Sequence, residues 1–312
     1  MIGRALVARL QRSGLKVRAH GRSQEVLQKL FPGDEIEKAV CDLTTMKPQD
    51  AERLCQNCTV IVHCAALVHQ ADAAEELYES CNIRPTAMLA HAAAKCAVEQ
   101  FIFLSSSSVY GNCETQMVDE NTILKDDTLY AASKIASENY LSNCPCPATV
   151  VIRPALVFGE GDRGNMLSLI RQVLSGKYFI IGQGAAMKSL IFAEDLAAAI
   201  SLVISNPEDG FYIYNVANPA PVSIRRLSEA ILISAQKEVK LKSLSPGLVD
   251  FASKLAKIFL GKNSPLSQDR LAKLSRHNSI SSKVFQSKFN FKAQFDLESA
   301  LKKEIAWAKS EN

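Results

Sequence analysis

Phe101-Ile102-Phe103-Leu104-Ser105-Ser106-Ser107-Ser108-Val109-Tyr110-Gly111 is the stretch on which the reading of this chain turns. Four apolar residues in succession describe a strand covered on both faces. The run stops at a cluster of hydroxyls. Ligands of open parallel sheets bind beyond the carboxyl ends of the strands, which is where Ser106 stands. Tyr130-Ala131-Ala132-Ser133-Lys134 follows. Its four-residue spacing sets Tyr130 and Lys134 on one face of a helix. A free tyrosine titrates near pH ~10. A lysine ammonium close by favours the phenolate and lowers that value. The phenol then serves as acid and base near neutral pH, and a serine hydroxyl can bond the same substrate oxygen. Many helices carry such a pair by chance, so its context decides.

Helix and strand signals alternate around these motifs. Residues 2–13 read as a helix with Ile2, Leu6, Val7 and Leu10 on one stripe, ending near Gly14. Strands are expected at 15–19, 36–41, 59–64, 100–105 and 148–153. Helices are expected at 24–30, 47–56, 73–97 and 128–143. This alternation predicts an α/β fold with a parallel sheet between helices. After residue 155 the pattern becomes irregular. Gly159-Glu160-Gly161-Asp162-Arg163-Gly164-Asn165 is a polar, glycine-rich loop before an apolar helix, and Gly182-Gln183-Gly184 is a turn. Residues 193–205 and 223–236 read as helices. Leu248 to Leu260 is amphipathic, with Lys254 and Lys257, and suits a lid or a membrane-surface helix. No repeat or low-complexity tract is present.

The 312 residues, 47% hydrophobic, suffice for a large core and one or two domains. No apolar run reaches the ~18 residues of a membrane-spanning helix. The first residues lack the layout of a secretory signal, so a cytoplasmic location is the expectation. Nine cysteines lie between Cys41 and Cys146. An odd count without a signal predicts reduced thiols. Cys55-x-x-Cys58 spans a helix end, Cys144-x-Cys146 sits in a proline-rich turn, and no histidine lies at zinc-finger spacing. Small buried or loop thiols are the expectation, and no metal site is read. Residues 237–312 hold fifteen basic and seven acidic residues, against 21 and 25 in the remainder. That basic part suits a diphosphate substrate, an anionic membrane surface or merely solvated helix faces. Nothing in the pattern points to nucleic acid.

Several segments, in order, resemble the extended short-chain dehydrogenase/reductase family, in its NAD-dependent epimerase/dehydratase (sugar-nucleotide epimerase) branch. Val60-Ile61-Val62-His63-Cys64-Ala65-Ala66 resembles the strand and turn beneath the cofactor. The Ser105-to-Gly111 stretch and Tyr130-x-x-x-Lys134 follow. Val151-Ile152-Arg153-Pro154 with Val157-Phe158-Gly159 resembles the family's Arg-Pro-x-x-Val-Tyr-Gly. Ser189 to Asp195 resembles its Ser-Phe-Ile-His-Val-x-Asp, and Tyr214-Asn215-Val216-Ala217 its Tyr-Asn-Val-Gly. The match runs from residue 1 to about 235. It implies a Rossmann-type doubly wound parallel sheet with a smaller C-terminal substrate subdomain. Residues 1–155 would bind NAD(P) and residues 156–312, interleaved with them, the substrate. It also implies a homodimer through the helices near 75–97 and 128–143.

One departure stands out. The family begins with a strand and a Thr-Gly-x-x-Gly-Phe-Ile-Gly turn, whereas this chain starts at Met1-Ile2-Gly3, matching only the end of that motif. The missing glycines let backbone approach the cofactor pyrophosphate at a helix N-terminus. The expectation is a family enzyme whose sequence is short at its front. A binding or scaffold protein that has lost its cofactor loop is the alternative.

The resemblance assigns catalysis to Ser106, Tyr130 and Lys134, with Tyr130 and Lys134 also binding the cofactor, Lys134 at its ribose. Gly3, Ala65, Ala66 and Pro154 would line the cofactor. Asp42 and Leu43 match the adenine contact. After the second strand, His20-Gly21-Arg22-Ser23 offers no acid for an NAD ribose, while Arg22 suits the 2′-phosphate of NADP. The cofactor is thus NAD or NADP. Asn82 matches a structural asparagine. Asn165 matches a contact to the substrate diphosphate, to which Lys188, Arg270 and Arg276 would add charge. His63 belongs to the strand end and His69 to the loop above the cofactor.

The reaction implied is hydride transfer at a ring carbon of a nucleotide-diphosphate sugar, with Tyr130 moving the hydroxyl proton and Ser106 bonding the oxyanion. The family's 4,6-dehydratases carry Asp-Glu after the catalytic Ser or Thr, where Ser107 and Ser108 stand here. Its GDP-fucose synthase type carries a cysteine at the position of Ser108. A 4-epimerase or 4-ketoreductase is the expectation, with a reductase of a non-sugar carbonyl as a further alternative.

Overall fold

The structure is a computed structural model that describes residues 1–68, 73–111, 117–144, 146–245, 247 and 277–311. His69, Arg270, Arg276 and the amphipathic stretch from 248 to 260 lie outside the described residues.

The first part of the chain alternates as expected. Helix α1 (Ile2–Arg12) leads to β1 (Arg18–Gly21), α2 (Gln24–Leu30), β2 (Glu37–Val40), α3 (Pro48–Cys55) and β3 (Val60–His63). Next come α4 (Glu75–Tyr78), a π-turn (Glu79–Ile83), α5 (Arg84–Lys95), β4 (Gln100–Leu104), α6 (Leu129–Leu141) and β5 (Ala148–Pro154). The second part runs β6 (Leu156–Phe158), α7 (Asn165–Leu174), β7 (Phe179–Ile181), β8 (Met187–Lys188), β9 (Leu190–Phe192), α8 (Ala193–Ser205), β10 (Gly210–Val216), β11 (Val222–Ser223), α9 (Ile224–Ser234) and β12 (Lys242–Leu244). Helices α10 (Lys283–Phe289) and α11 (Leu297–Ser310) close it.

A four-stranded parallel sheet in the order β10-β5-β4-β3 organises the molecule. Every residue of β4 and β5 is buried, because helices cover both faces. Alternate residues serve alternate layers. Ile102, Ile152 and Val150 pack with Leu6 and Leu10 of α1 and with Leu196, Ile200 and Val203 of α8. Phe101, Phe103 and Val151 pack with Ala51 and Leu54 of α3 and with Leu89 and Ala93 of α5. The fold is therefore a Rossmann-type doubly wound sheet. A second core joins Met166 and Ile170 of α7, Leu227 and Ile231 of α9, and Leu301 and Ile305 of α11 around Phe158 and Phe192.

The sheet is divided. Among the described residues, strands β1 and β2 pair in parallel only with each other, and β3 pairs only with β4. Both pieces share one layer. Val17, Val60 and Val62 pack toward the α1 side, while Ala39 and Ile61 pack toward α3. Arg18 ties β1 to the end of α3, with Nη1 donating to Leu54 O at 3.0 Å and Gln56 O at 2.7 Å. Val60, Ile61 and Val62 are only half-buried, as their free edge requires.

Two expected elements shift. The strand expected at 15–19 forms at Arg18–Gly21, and Leu15 stays 44% exposed in the turn after α1. The single helix expected over 73–97 is broken by the π-turn. That turn drives Asn82 inward. Its Oδ1 accepts from Leu67 N at 2.7 Å, and its Nδ2 donates to Leu67 O at 3.1 Å and Ser133 Oγ at 2.9 Å. Such insertions frequently mark functional sites.

Candidate functional site at the end of strand β4

Helix α6 starts at Thr128, whose side chain caps Ala131 N at 3.1 Å. The cap fixes the helix phase, so Tyr130, Lys134 and Glu138 share one buried stripe, each one turn apart. Lys134 Nζ donates to Leu104 O at 2.7 Å, 4.4 Å from the centre of the Phe103 ring and 6.0 Å from that of Tyr130. Burial brings its pKa down to about 8. The Tyr130 hydroxyl is hydrogen-bonded to Ser106, which favours the phenolate, yet burial dominates and pushes its pKa up to about 12. This corrects the expectation of a phenol already lowered by Lys134. The ammonium is directed at a carbonyl and a ring.

Ser106 caps the 3₁₀ turn Ser107–Tyr110, its Oγ accepting from Ser108 N at 3.1 Å and lying 3.0 Å from Ser108 Oγ. Ser105 instead bonds the Glu138 carboxylate. Ser106, Tyr130 and Lys134 thus converge beyond β4, where the serine run placed them.

Glu138 is a residue that sequence reasoning missed. It is buried against Arg153, with Nη2 at 2.5 Å and Nε at 3.1 and 3.2 Å. Its spacing of four from Lys134 was a visible signal, whereas its partner on β5 was not.

At the other end of the site, Met1 makes no side-chain cap for α1, and the first turn holds no acid. Gly3 is exposed, and a Cβ there would meet nothing within 4 Å. The loop after β6 packs against this end, since a Cβ on Gly161 would lie 3.5 Å from Met1 Cα. In that loop, Asp162 accepts from Gly164 N at 2.8 Å and Leu167 N at 3.1 Å, which anchors the start of α7 and leaves Asn165 exposed. The open space beside Gly3 fits the close approach of an anionic cofactor group, as Lys134 fits a ribose hydroxyl.

The remaining expected residues spread around this line. Ala65 and Ala66 are half-buried after β3, and Pro154 is buried at the end of β5. Asp42 is exposed and accepts from Thr44 N at 2.9 Å and Thr44 Oγ1 at 2.8 Å. Those bonds, and the nearby Arg22 charge, hold its carboxyl below the usual range. Leu43 is buried in the core near α3. Lys188 is half-buried, and burial lowers its pKa. His63 is buried 3.1 Å from Thr86 Oγ1, and burial drives its pKa down to about 3, so it stays neutral. The eight cysteines among the described residues are free thiols.

The comparisons with known proteins agree with this geometry. Residues 1–217 match the model of the NAD dependent epimerase/dehydratase family, and the chain belongs to that family. It is 31% identical over 201 residues to a UDP-glucose 4-epimerase from Vibrio cholerae, covering 60% of each chain. It is 29% identical over 168 residues to an N-acetyl-alpha-D-glucosaminyl-diphospho-ditrans,octacis-undecaprenol 4-epimerase from Escherichia coli O157:H7, covering 52% of this chain and 50% of that one. The matches thus span about half to three-fifths of these curated relatives. The solved structure of MoeE5 in complex with UDP-glucuronic acid and NAD superposes with a TM-score of 0.76 over 100% of this chain and 96% of that one, at 22% identity. No helix among the described residues is long and apolar enough to cross a membrane.

Proposed function

We propose that this protein is an NAD-dependent sugar-nucleotide 4-epimerase or 4-ketoreductase. The observation that carries the proposal is the convergence of Ser106, Tyr130 and Lys134 beyond β4. NAD, when bound, supplies the hydride acceptor and donor. Tyr130 takes or returns the proton of the sugar hydroxyl, and Ser106 donates to the developing oxyanion. Lys134 holds a ribose hydroxyl and, once turned from Leu104 toward the phenol, favours the phenolate. Gly3, Ala65, Ala66 and Pro154 line the cofactor, with Asp42 and the Leu43 backbone at the adenine. Asn165 and Lys188 meet the diphosphate. Residues 1–155 serve the cofactor and 156–312 the sugar nucleotide.

Ser107 is buried and Ser108 lies against Ser106 Oγ, so neither provides the acid-base pair that water elimination needs. The similarity to two 4-epimerases supports chemistry at C4. A second reading, a binding protein that keeps the fold without catalysis, is favoured by the direction of Lys134, which donates to Leu104 O, and by the raised pKa of Tyr130.

The test is incubation of the full chain with NAD and UDP-glucose, UDP-N-acetylglucosamine or UDP-glucuronic acid, read by proton NMR at C4. A parallel reaction offers NADH and a 4-keto sugar nucleotide. Epimerisation or reduction that disappears in Tyr130→Phe supports the enzyme. A folded, NAD-binding protein inert toward every substrate supports the binding protein.

A further inference from the structure

Glu138 and Arg153 sit at the centre of a buried polar network that reaches both ends of the Ser106 turn. Before Ser106, the Ser105 hydroxyl donates to Glu138. After it, Arg153 Nη1 donates to Tyr110 Oη at 2.9 Å, and Tyr110 Oη donates to Asn215 Oδ1 of β10 at 2.6 Å. Arg153 itself belongs to β5 and Glu138 to α6. The network therefore ties the turn carrying Ser106 to the helix face carrying Tyr130. A buried ion pair is a poor device for stability, because desolvation offsets most of its attraction. Hydrogen bonds held within a buried network do fix geometry. Proton transfer needs that geometry, since a misplacement of about 1 Å can cost about a hundredfold in rate.

We propose that Glu138 and Arg153 are positioning residues that hold the Ser106 hydroxyl against the Tyr130 hydroxyl. The proposal rests on the reading of these two hydroxyls as the reacting pair, but its test does not require turnover. In the unliganded full chain, labelled with ¹³Cζ-tyrosine, the Tyr130 resonance is assigned by its loss in Tyr130→Phe. Ser106→Ala should move that resonance, because the two hydroxyls are bonded. In the Glu138→Gln/Arg153→Met background, which leaves neither charge unpaired, the same substitution should move it by less than half as much. Where the wild type turns over, this background should also lose kcat by about tenfold or more with little change in KM. An equal displacement by Ser106→Ala in both backgrounds would overturn the proposal. Should that background fail to fold, Arg153→Lys with Tyr110→Phe keeps the charge, loses the forked geometry and is read in the same way. A wild type with the coupling but no turnover would refute the proposed function and leave the positioning role standing.

Discussion

Lys134 Nζ is anchored 2.7 Å from the carbonyl oxygen of Leu104, the last residue of β4 and two before Ser106. One bond thereby joins the helix carrying Tyr130 to the strand end carrying its partner. Lys134 is 2% exposed there. Burial opposes its charge, and the Glu138 carboxylate only partly restores it.

The pKa of about 8 gives a pH signature. The ammonium is the form that bonds a ribose hydroxyl and favours a phenolate. The account predicts that kcat/KM falls as pH rises through about 8, the value to which Lys134 is brought. Lys134→Met should remove that limb together with most of the activity, read from pH–rate profiles of both proteins.

Tyr130→Phe keeps a buried aromatic ring and removes only the hydroxyl. Turnover should fall by about 10²–10⁴-fold, the usual contribution of a positioned acid-base group. Cofactor affinity should be nearly unchanged. Steady-state kinetics and an NADH titration separate the two effects.

Glu304 is fully buried on α11 beside Asp162, and burial pushes its pKa up to about 8. The folded state therefore binds more protons than the unfolded chain between the ordinary glutamate value and about 8. Stability should decline as pH rises across that window. Glu304→Gln should flatten the decline and stabilise the protein at pH 9 by roughly 1–3 kcal/mol, the cost of a buried charge left poorly paired. Melting temperatures of the two proteins from pH 5 to pH 9, the range set by linkage, test this.

Gly111 closes the Ser106 turn at φ +62°, and a Cβ there would lie 2.4 Å from Asp127 Oδ2 and 2.7 Å from Lys125 Cβ. Gly111→Ala should cost about 1–3 kcal/mol in urea unfolding, the range for a strained backbone. Gly3→Ala has open space and should leave stability nearly unchanged.

Much of this was legible in the sequence, because β3, β4 and β5 each carry a short apolar run (Val60–Val62, Phe101–Leu104 and Val150–Ile152) and the Tyr130–Lys134 spacing needs only one helix turn. The π-turn was not, since hydrophobic period does not reveal one inserted residue. Nor were the partners of Glu138, Arg153 and Glu304. Periodicity places a charge on a face but does not say what another element brings to it. That β1 pairs with β2 and β3 with β4, in separate sheets, required the structure. The shift of Tyr130 also ran against expectation, because burial outweighed a lysine directed elsewhere.

The most direct test of the central claim is titration of this 312-residue chain with NADH and NADPH, followed by fluorescence energy transfer from protein to cofactor. The account predicts micromolar binding of NADH, weakened in Lys134→Met, and Arg22→Ala would reveal any hold on the 2′-phosphate of NADPH. A cooperatively folded protein that binds neither cofactor at millimolar concentration would contradict it.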